Sequence, residues 1–328
     1  MNDFSLAMLW WIAAAVLLAW RLPRRFQPVG MVAATVAFLL WHEPVAMGWL
    51  LLAAGIGYLP ASGRGGRPAL AAAIAMAVVL IGLKLGHRAS GDGVWGAIIP
   101  LGMSFYALRV IHLALDAWKG TLPTATRAEY FSYLFFLPTL VAGPINRFAE
   151  FQRAYRRRRW EPACFSRGCE RILYGYAMMI VLGNYLVSSK MADAVAVLSR
   201  TRPGPAEYLD CCRYGLNLYC QFAGYSHVAI GFALVLGFPI VENFRYPFLA
   251  THPADFWRRW HISLSDWCRD YIYLPALALS RRPVVAVLAA MLALGLWHEI
   301  SWRYCLWGLY HGIGIAVGQA IRHRLPAV

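Results

Sequence analysis

Apolar runs long enough to cross a bilayer recur about nine times along this 328-residue chain, at approximately 4–20, 29–42, 45–60, 69–86, 95–117, 172–189, 213–238, 284–300 and 304–321. A membrane helix needs about 20 apolar residues, somewhat fewer where flanking side chains snorkel or the bilayer thins. Lipid offers the backbone no hydrogen bonds, so lipid-exposed spans of this kind must be helical or close into a barrel, and runs this long are helices. The expectation is an all-α, polytopic integral membrane protein. Composition agrees, because 60% of residues are hydrophobic and only 14% charged, whereas a soluble surface needs roughly a quarter charged. No repeat, low-complexity tract or soluble domain interrupts the pattern, so 1–328 reads as one domain.

Lysine and arginine set orientation, since cytoplasmic loops are enriched in them. Arg21, Arg24 and Arg25 follow the first run, which places the N-terminus outside. Alternation then makes the segments holding Arg64 and Arg67, Lys119 and Arg127, Arg258 and Arg259, and finally Arg322 and Arg324 cytoplasmic, and each is basic. The intervening segments around His42 to Pro44 and at 190–212 read as outside loops. Asp3 and the absence of a basic n-region make Leu6 to Trp20 a membrane helix and not a cleaved signal. The net charge of +15 follows from these flanks, with no nucleic-acid module beside it. The 14 tryptophans and 17 tyrosines suit two membrane interfaces. Seven cysteines, at 164, 169, 211, 212, 220, 268 and 305, lack the paired spacing of a zinc site, and no metal is expected.

Two apolar stretches are too short or too broken to span: Tyr130 to Ala142, closed by Gly143 and Pro144, and Tyr271 to Leu279. Both read as re-entrant, and broken backbone at membrane depth is tolerated only where it lines a cavity or is packed in protein. Ionisable residues point the same way, because inside spans they face a cavity or a partner. Arg109, His112 and Asp116 lie three and four residues apart, on one helical face. They form either an internal ion-paired stripe or the wall of a substrate path. Asp255 to Asp270 interleaves Arg258, Arg259, His261, Ser263, Ser265, Asp266 and Arg269 with three tryptophans, and reads as an amphipathic interfacial helix. Trp297, His298 and Glu299 end a run otherwise made of Val, Leu, Ala and Met. A buried histidine is commonly structural, yet a neutral imidazole is also the side chain able to remove a hydroxyl proton near neutral pH, and apolar burial favours the neutral form.

Through PLGMSFYALR (100–109), PTLVAGPINRF (138–148), FAGYS (222–226), ENFRYPF (242–248), FWRRWHISLSDWCRDYIYLP (256–275), GLWHE (295–299) and LWGLYHG (306–312), the chain closely resembles the membrane-bound O-acyltransferase family. The resemblance is strongest to its bacterial branch of alginate O-acetylation and teichoic acid D-alanylation proteins. It implies tilted helices around a central tunnel in the bacterial inner membrane, with a thioester donor entering from the cytoplasm and an acceptor hydroxyl from outside. It implies His298, in the family's WH motif, as the essential catalytic residue, and His261 as a second one. His311 matches a recurrent family histidine and reads as structural. Two positions depart from the family pattern: Glu299 stands where glycine is usual, and Gln221 where an acidic residue is usual.

The mechanism this implies has His298 as general base on an acceptor hydroxyl, with His261 or Trp and Arg donors steadying the oxyanion. Trp297, Glu299, Arg258, Arg259, Asn243 and Gln221 are the candidate substrate-binding residues. Arg153 and the run Arg156, Arg157, Arg158 and Arg159 form either a lipid anchor or a docking patch for the donor. No bound cofactor is expected; the co-substrate is an acyl thioester, either acetyl-CoA or an acylated carrier protein. Acetyl transfer to an envelope polysaccharide or a partner protein is favoured, and D-alanyl transfer from a carrier protein is the alternative. A transporter or flippase is the reading from another class, since intramembrane charge and broken helices also mark transport sites.

Overall fold

The computed structural model describes residues 2–90, 102–140 and 143–324. Residues 95–101 of the run expected at 95–117, Pro100 and Leu101 among them, and Val141 and Ala142 of PTLVAGPINRF lie outside the described residues. So do the side chains of Asp3, Arg322 and Arg324.

Among the described residues the chain is predominantly helical and contains no strand. Chain order begins with α1 (Asn2–Arg21), α2 (Gln27–His42), α3 (Pro44–Ala61), α4 (Arg67–Ser90) and α5 (Met103–Trp118). Two shorter helices follow, α6 (Arg127–Leu134) and α7 (Phe148–Arg157). The middle of the chain is a long pair. One arm runs from α8 (Pro162–Tyr176) through a π-helix (Ala177–Lys190) into α9 (Met191–Ser199), and the other is α10 (Pro203–Val235). The chain ends with the short α11 (Pro253–Trp257), α12 (Ile262–Cys268) and α13 (Leu274–Ser280), then α14 (Pro283–His298) and α15 (Trp302–Arg324).

Among the described residues four helical stretches are long and apolar enough to cross a membrane: Pro44–Ala61, Arg67–Gly86, Pro162–Ser199 and Pro203–Val235. Shorter apolar helices run over Met8–Arg21 and Pro283–His298. Trp10, Val78, Leu173 and Ile313 remain exposed, which water would penalise and hydrocarbon does not. The protein is an all-α polytopic membrane protein. The expected outside loop at 190–212 is instead almost entirely helical, because α9 and α10 continue to Ser199 and from Pro203 and leave only a tight turn between them. The amphipathic helix expected over Asp255 to Asp270 is broken in two at His261, whose backbone sits in the left-handed region at φ 45°.

Two apolar clusters organise the interior. One joins α1, α2, α3, α5, α6, α7 and α10 through residues such as Phe38, Leu50, Tyr106, Tyr133, Phe148 and Phe232. The other joins the last helices through Trp257, Leu264, Trp267, Met291 and Leu294. α5 connects them, since Leu108 belongs to the second.

The polar face of α5 fastens the short elements to this frame. Buried Arg109 donates to the carbonyls of Tyr133, Leu134 and Thr139 and to the Thr139 hydroxyl. His112 Nε2 accepts the Phe148 N–H at 3.2 Å, and Asp116 accepts from the Tyr271 hydroxyl at 2.8 Å. The stripe therefore bonds to backbone groups, the Thr139 hydroxyl and a phenol and is not internally ion-paired. Carbonyls freed where α6 gives way to the 3-10 turn Leu137–Thr139 are thus satisfied by a guanidinium, as burial requires.

Glu129, at the start of α6, completes a capping box with Thr126 and pairs with Arg156 at 2.6 Å. Burial pushes its carboxyl up, but bonds from Arg156, the Thr126 N–H and Gln152 outweigh this and hold it at about 2. A carboxyl depressed in the folded state stabilises the fold above its unfolded value, and that contribution is lost as pH falls. The solubilised protein is therefore expected to unfold at progressively lower temperature as pH drops from the ordinary carboxylate range towards about 2. Glu129→Gln should be less stable near neutrality and flatter in its response to acid; an equally steep acid response in that variant would contradict the assignment.

Candidate active site

α14 and α15 cross with their backbones nearly touching, and glycines make that possible. A Cβ on Gly308 would lie 2.5 Å from the Met291 carbonyl oxygen, and one on Gly295 would collide with the Tyr304 carbonyl. The close crossing brings His298, the last residue of α14, against α15. Its ring lies nearly parallel to Tyr304 at 5.8 Å and edge-on to Trp307 at 5.6 Å. His298 is exposed and not buried as its apolar run suggests, because α14 ends at that residue and its ring opens into a cavity.

That cavity has a volume of about 600 Å³. His261, His298 and His311 all line it, together with Phe222 and Tyr214 of α10, Trp257, Trp260, Arg303, Tyr304 and Trp307. Its wall is mostly aromatic with a few polar groups, the usual composition of a small-molecule site. Three histidines from separate segments of the chain thus converge on one space.

His261 is held by a buried polar network. The Asn243 side chain donates to Ser226 at 3.0 Å, and its Oδ1 accepts from the Ser263 hydroxyl at 2.9 Å and the Ser263 N–H at 3.4 Å. His261 Nδ1 lies 3.0 Å from the same oxygen. Ser263 in turn accepts the Ile145 N–H at 2.9 Å. A backbone N–H can only donate, so Oδ1 is the acceptor and His261 Nδ1 carries the proton. The neutral ring then has a bare Nε2 lone pair, and that buried atom has no partner among the described residues. In this tautomer His261 accepts hydrogen bonds through Nε2 and does not donate, which argues against an oxyanion-steadying role while it is neutral. The indole N–H groups of Trp257 and Trp297 are also buried and unpartnered. They are donors only. Left-handed backbone at a non-glycine residue costs about 1–3 kcal/mol, and His261 adopts it on the wall of the cavity.

The remaining candidates separate by position. Trp297 meets Phe105, His261 and His298 edge-on, with centroids at 6.1, 6.3 and 4.9 Å. Glu299 is exposed beyond the end of α14. Asn243 is fully buried and its polar atoms are occupied by Ser226, Ser263 and His261. Gln221 lies off the cavity wall and donates to the Met179 carbonyl and Asn184 of the π-helix. Arg258 and Arg259 both pair with Asp255, at 3.5 and 2.9 Å. The arginine run divides. Arg156 is held by Glu129, and Arg158 donates to the Leu236 and Ala19 carbonyls and to Gln27 while covering the Trp20 ring. Arg153, Arg157 and Arg159 instead line a second cavity of about 370 Å³ with Glu150 and Glu161. Among the described residues no cluster of three or more His, Cys, Asp or Glu is placed to hold a metal.

Sequence reasoning does not single out Tyr304, Trp307 or the α10 wall, which only tertiary packing brings to the histidines. It also misses Lys84, although a lysine inside an apolar run is itself a signal.

A polytopic helical membrane protein with histidines gathered on an aromatic cavity is the class that fold and site define. Residues 123–328 match the model of MBOAT, the membrane-bound O-acyltransferase family, and the chain belongs to that family. It is 34% identical over 230 residues to the probable alginate O-acetylase AlgI of Azotobacter vinelandii, covering 69% of this chain and 45% of that protein. It is 30% identical to the teichoic acid D-alanyltransferase of Streptococcus thermophilus, covering 70% and 59%. The peptidoglycan O-acetyltransferase of Helicobacter pylori is 26% identical, with 69% and 48% covered. The chain thus spans about half the length of the curated relatives it matches.

Proposed function

We propose that this protein transfers an acyl group, acetyl by preference, from a cytoplasmic thioester to a hydroxyl of an extracytoplasmic envelope polysaccharide or partner protein. The observation that carries this is the meeting of His261 and His298, from two family motifs, on one aromatic cavity. His298 takes the hydroxyl proton as the oxygen attacks the thioester carbonyl. Charge develops on the carbonyl oxygen, which indole or guanidinium donors at the cavity stabilise. The C–S bond then breaks, and the departing thiolate takes the proton from His298. His261, with its bare Nε2, orients a hydrogen-bond-donating group of the substrate.

The donor is acetyl-CoA or an acylated carrier protein. The resemblance to a D-alanyltransferase supports D-alanyl transfer from a carrier as the second reading. The protein lies in a bacterial inner membrane with the N-terminus outside and the C-terminus cytoplasmic. Support for the alternation comes from Lys84, near the end of α4, which bonds the end of α14; alternation brings both ends to the same side. Mass spectrometry of envelope polymers from cells with and without this chain tests the reading. A lost acyl substituent is expected, and unchanged polymers together with unchanged envelope proteins would overturn it.

Donor docking falls to Arg153, Arg157 and Arg159, which line the cavity of about 370 Å³, whereas Arg156 and Arg158 are engaged by Glu129, Gln27 and backbone carbonyls. Coenzyme A phosphates and acidic carrier surfaces are both drawn to guanidinium groups. Replacing the three with glutamine is expected to raise the KM for donor and weaken its salt dependence, leaving kcat nearly unchanged. An unchanged KM with reduced membrane insertion would assign them to lipid anchoring.

A further inference from the structure

We propose that Lys84 is a positioning residue for His298, contributed by a helix outside the segment that matches the family. Lys84 lies in α4, inside an apolar stretch otherwise fit to span a membrane, where an ammonium is costly and needs a specific partner. A lysine near a helix end ordinarily snorkels towards the headgroups. This one turns into the protein. Its Nζ donates to the Trp297 carbonyl at 2.5 Å and to the His298 carbonyl at 3.2 Å, and lies 5.8 Å from the centre of the Trp297 ring.

Those two carbonyls are among the last of α14, which the helix itself leaves without partners. The negative end of the helix dipole lies at the same place, so an ammonium there answers both. Among the described residues no carboxylate lies within ion-pair distance of Lys84; Glu299 is close enough to attract it without direct contact, and the bonds Lys84 makes are to the helix end. The consequence for His298 is geometric. Its backbone is held from one side by α15, through the Gly295 and Gly308 crossing, and from another by Lys84. Without Lys84 the last turn of α14 is free to fray, and fraying moves the imidazole relative to the other cavity groups. The family match begins only at residue 123, so the N-terminal helices would be part of the catalytic frame.

This inference rests on the acyl-transfer reading, and the test separates the two. Lys84→Met and Lys84→Arg are compared with the unaltered full chain, purified in detergent. The readouts are kcat and KM for donor, together with the rate at which diethyl pyrocarbonate modifies His298, followed by peptide mass spectrometry. Lys84→Met is expected to lose about 10²-fold in kcat, the order of effect of a misplacement of about 1 Å. Its KM should be little changed, and its His298 modification rate altered. Lys84→Arg, which keeps a cation and donors, should recover most of both. Unchanged kcat and His298 reactivity in Lys84→Met would overturn the proposal, as would arginine failing to restore either in protein that is folded. If the unaltered chain transfers no acyl group, the acyl-transfer reading fails, while the modification rate still reports whether Lys84 positions His298.

Discussion

Replacing His298 with alanine is expected to lower acyl transfer by about 10² to 10⁴-fold, the usual contribution of a positioned base, while the protein still accumulates in the membrane. The imidazole ends α14 and opens on the cavity, so its removal costs little packing. Its ring contacts with Trp297, Tyr304 and Trp307 orient it and do not seal a core. His261→Ala should be milder in turnover and harsher in stability, because that ring is buried, and its loss leaves a void and removes one of the bonds to the Asn243 oxygen. Activity in membrane vesicles and thermal unfolding after solubilisation measure the two effects. Normal turnover by the His298 variant would remove the proposed base.

Gly308→Val is expected to be as damaging to activity, for a steric reason. Even the first carbon of the new side chain would lie 2.5 Å from the Met291 carbonyl oxygen and 3.1 Å from the Leu292 Cα. Both belong to the backbone of α14, so neither can rotate away, and the helix has to move. Overpacking of this kind costs about 1–3 kcal/mol, and a displacement of about 1 Å at the end of α14 is enough to lose about 10²-fold in rate. Gly48→Val in α3 is the control, since a Cβ there meets nothing within 4 Å. Comparable activity of the two variants would show that the α14–α15 crossing does not set the site.

Much of the fold was legible because lipid leaves an apolar run little choice of structure. Runs at 29–42, 45–60 and 69–86 became α2, α3 and α4 within a few residues at most ends. The helical continuation through 190–212 was not legible, because its polar residues there read equally as a loop. The π-helix Ala177–Lys190 has no sequence period of its own to announce it. At the site, GLWHE and RWHIS marked both histidines, but the break at His261 carries no glycine or asparagine to signal a left-handed residue. Asn243 read as a substrate contact because its motif places it near the site. Its occupation by Ser226, Ser263 and His261 depends on α10 and on the start of α12, which no local pattern connects. Lys84 stood in plain view in its apolar run; what it reaches, more than two hundred residues on, is a tertiary fact.

The most direct test is transfer by the purified protein, supplied with a radiolabelled acetyl thioester and a soluble hydroxyl-bearing envelope fragment. The account predicts thiol release coupled to label on the acceptor oxygen, dependent on both substrates and reduced about 10² to 10⁴-fold in the His298→Ala variant. Label transfer at the unaltered rate in that variant would contradict it.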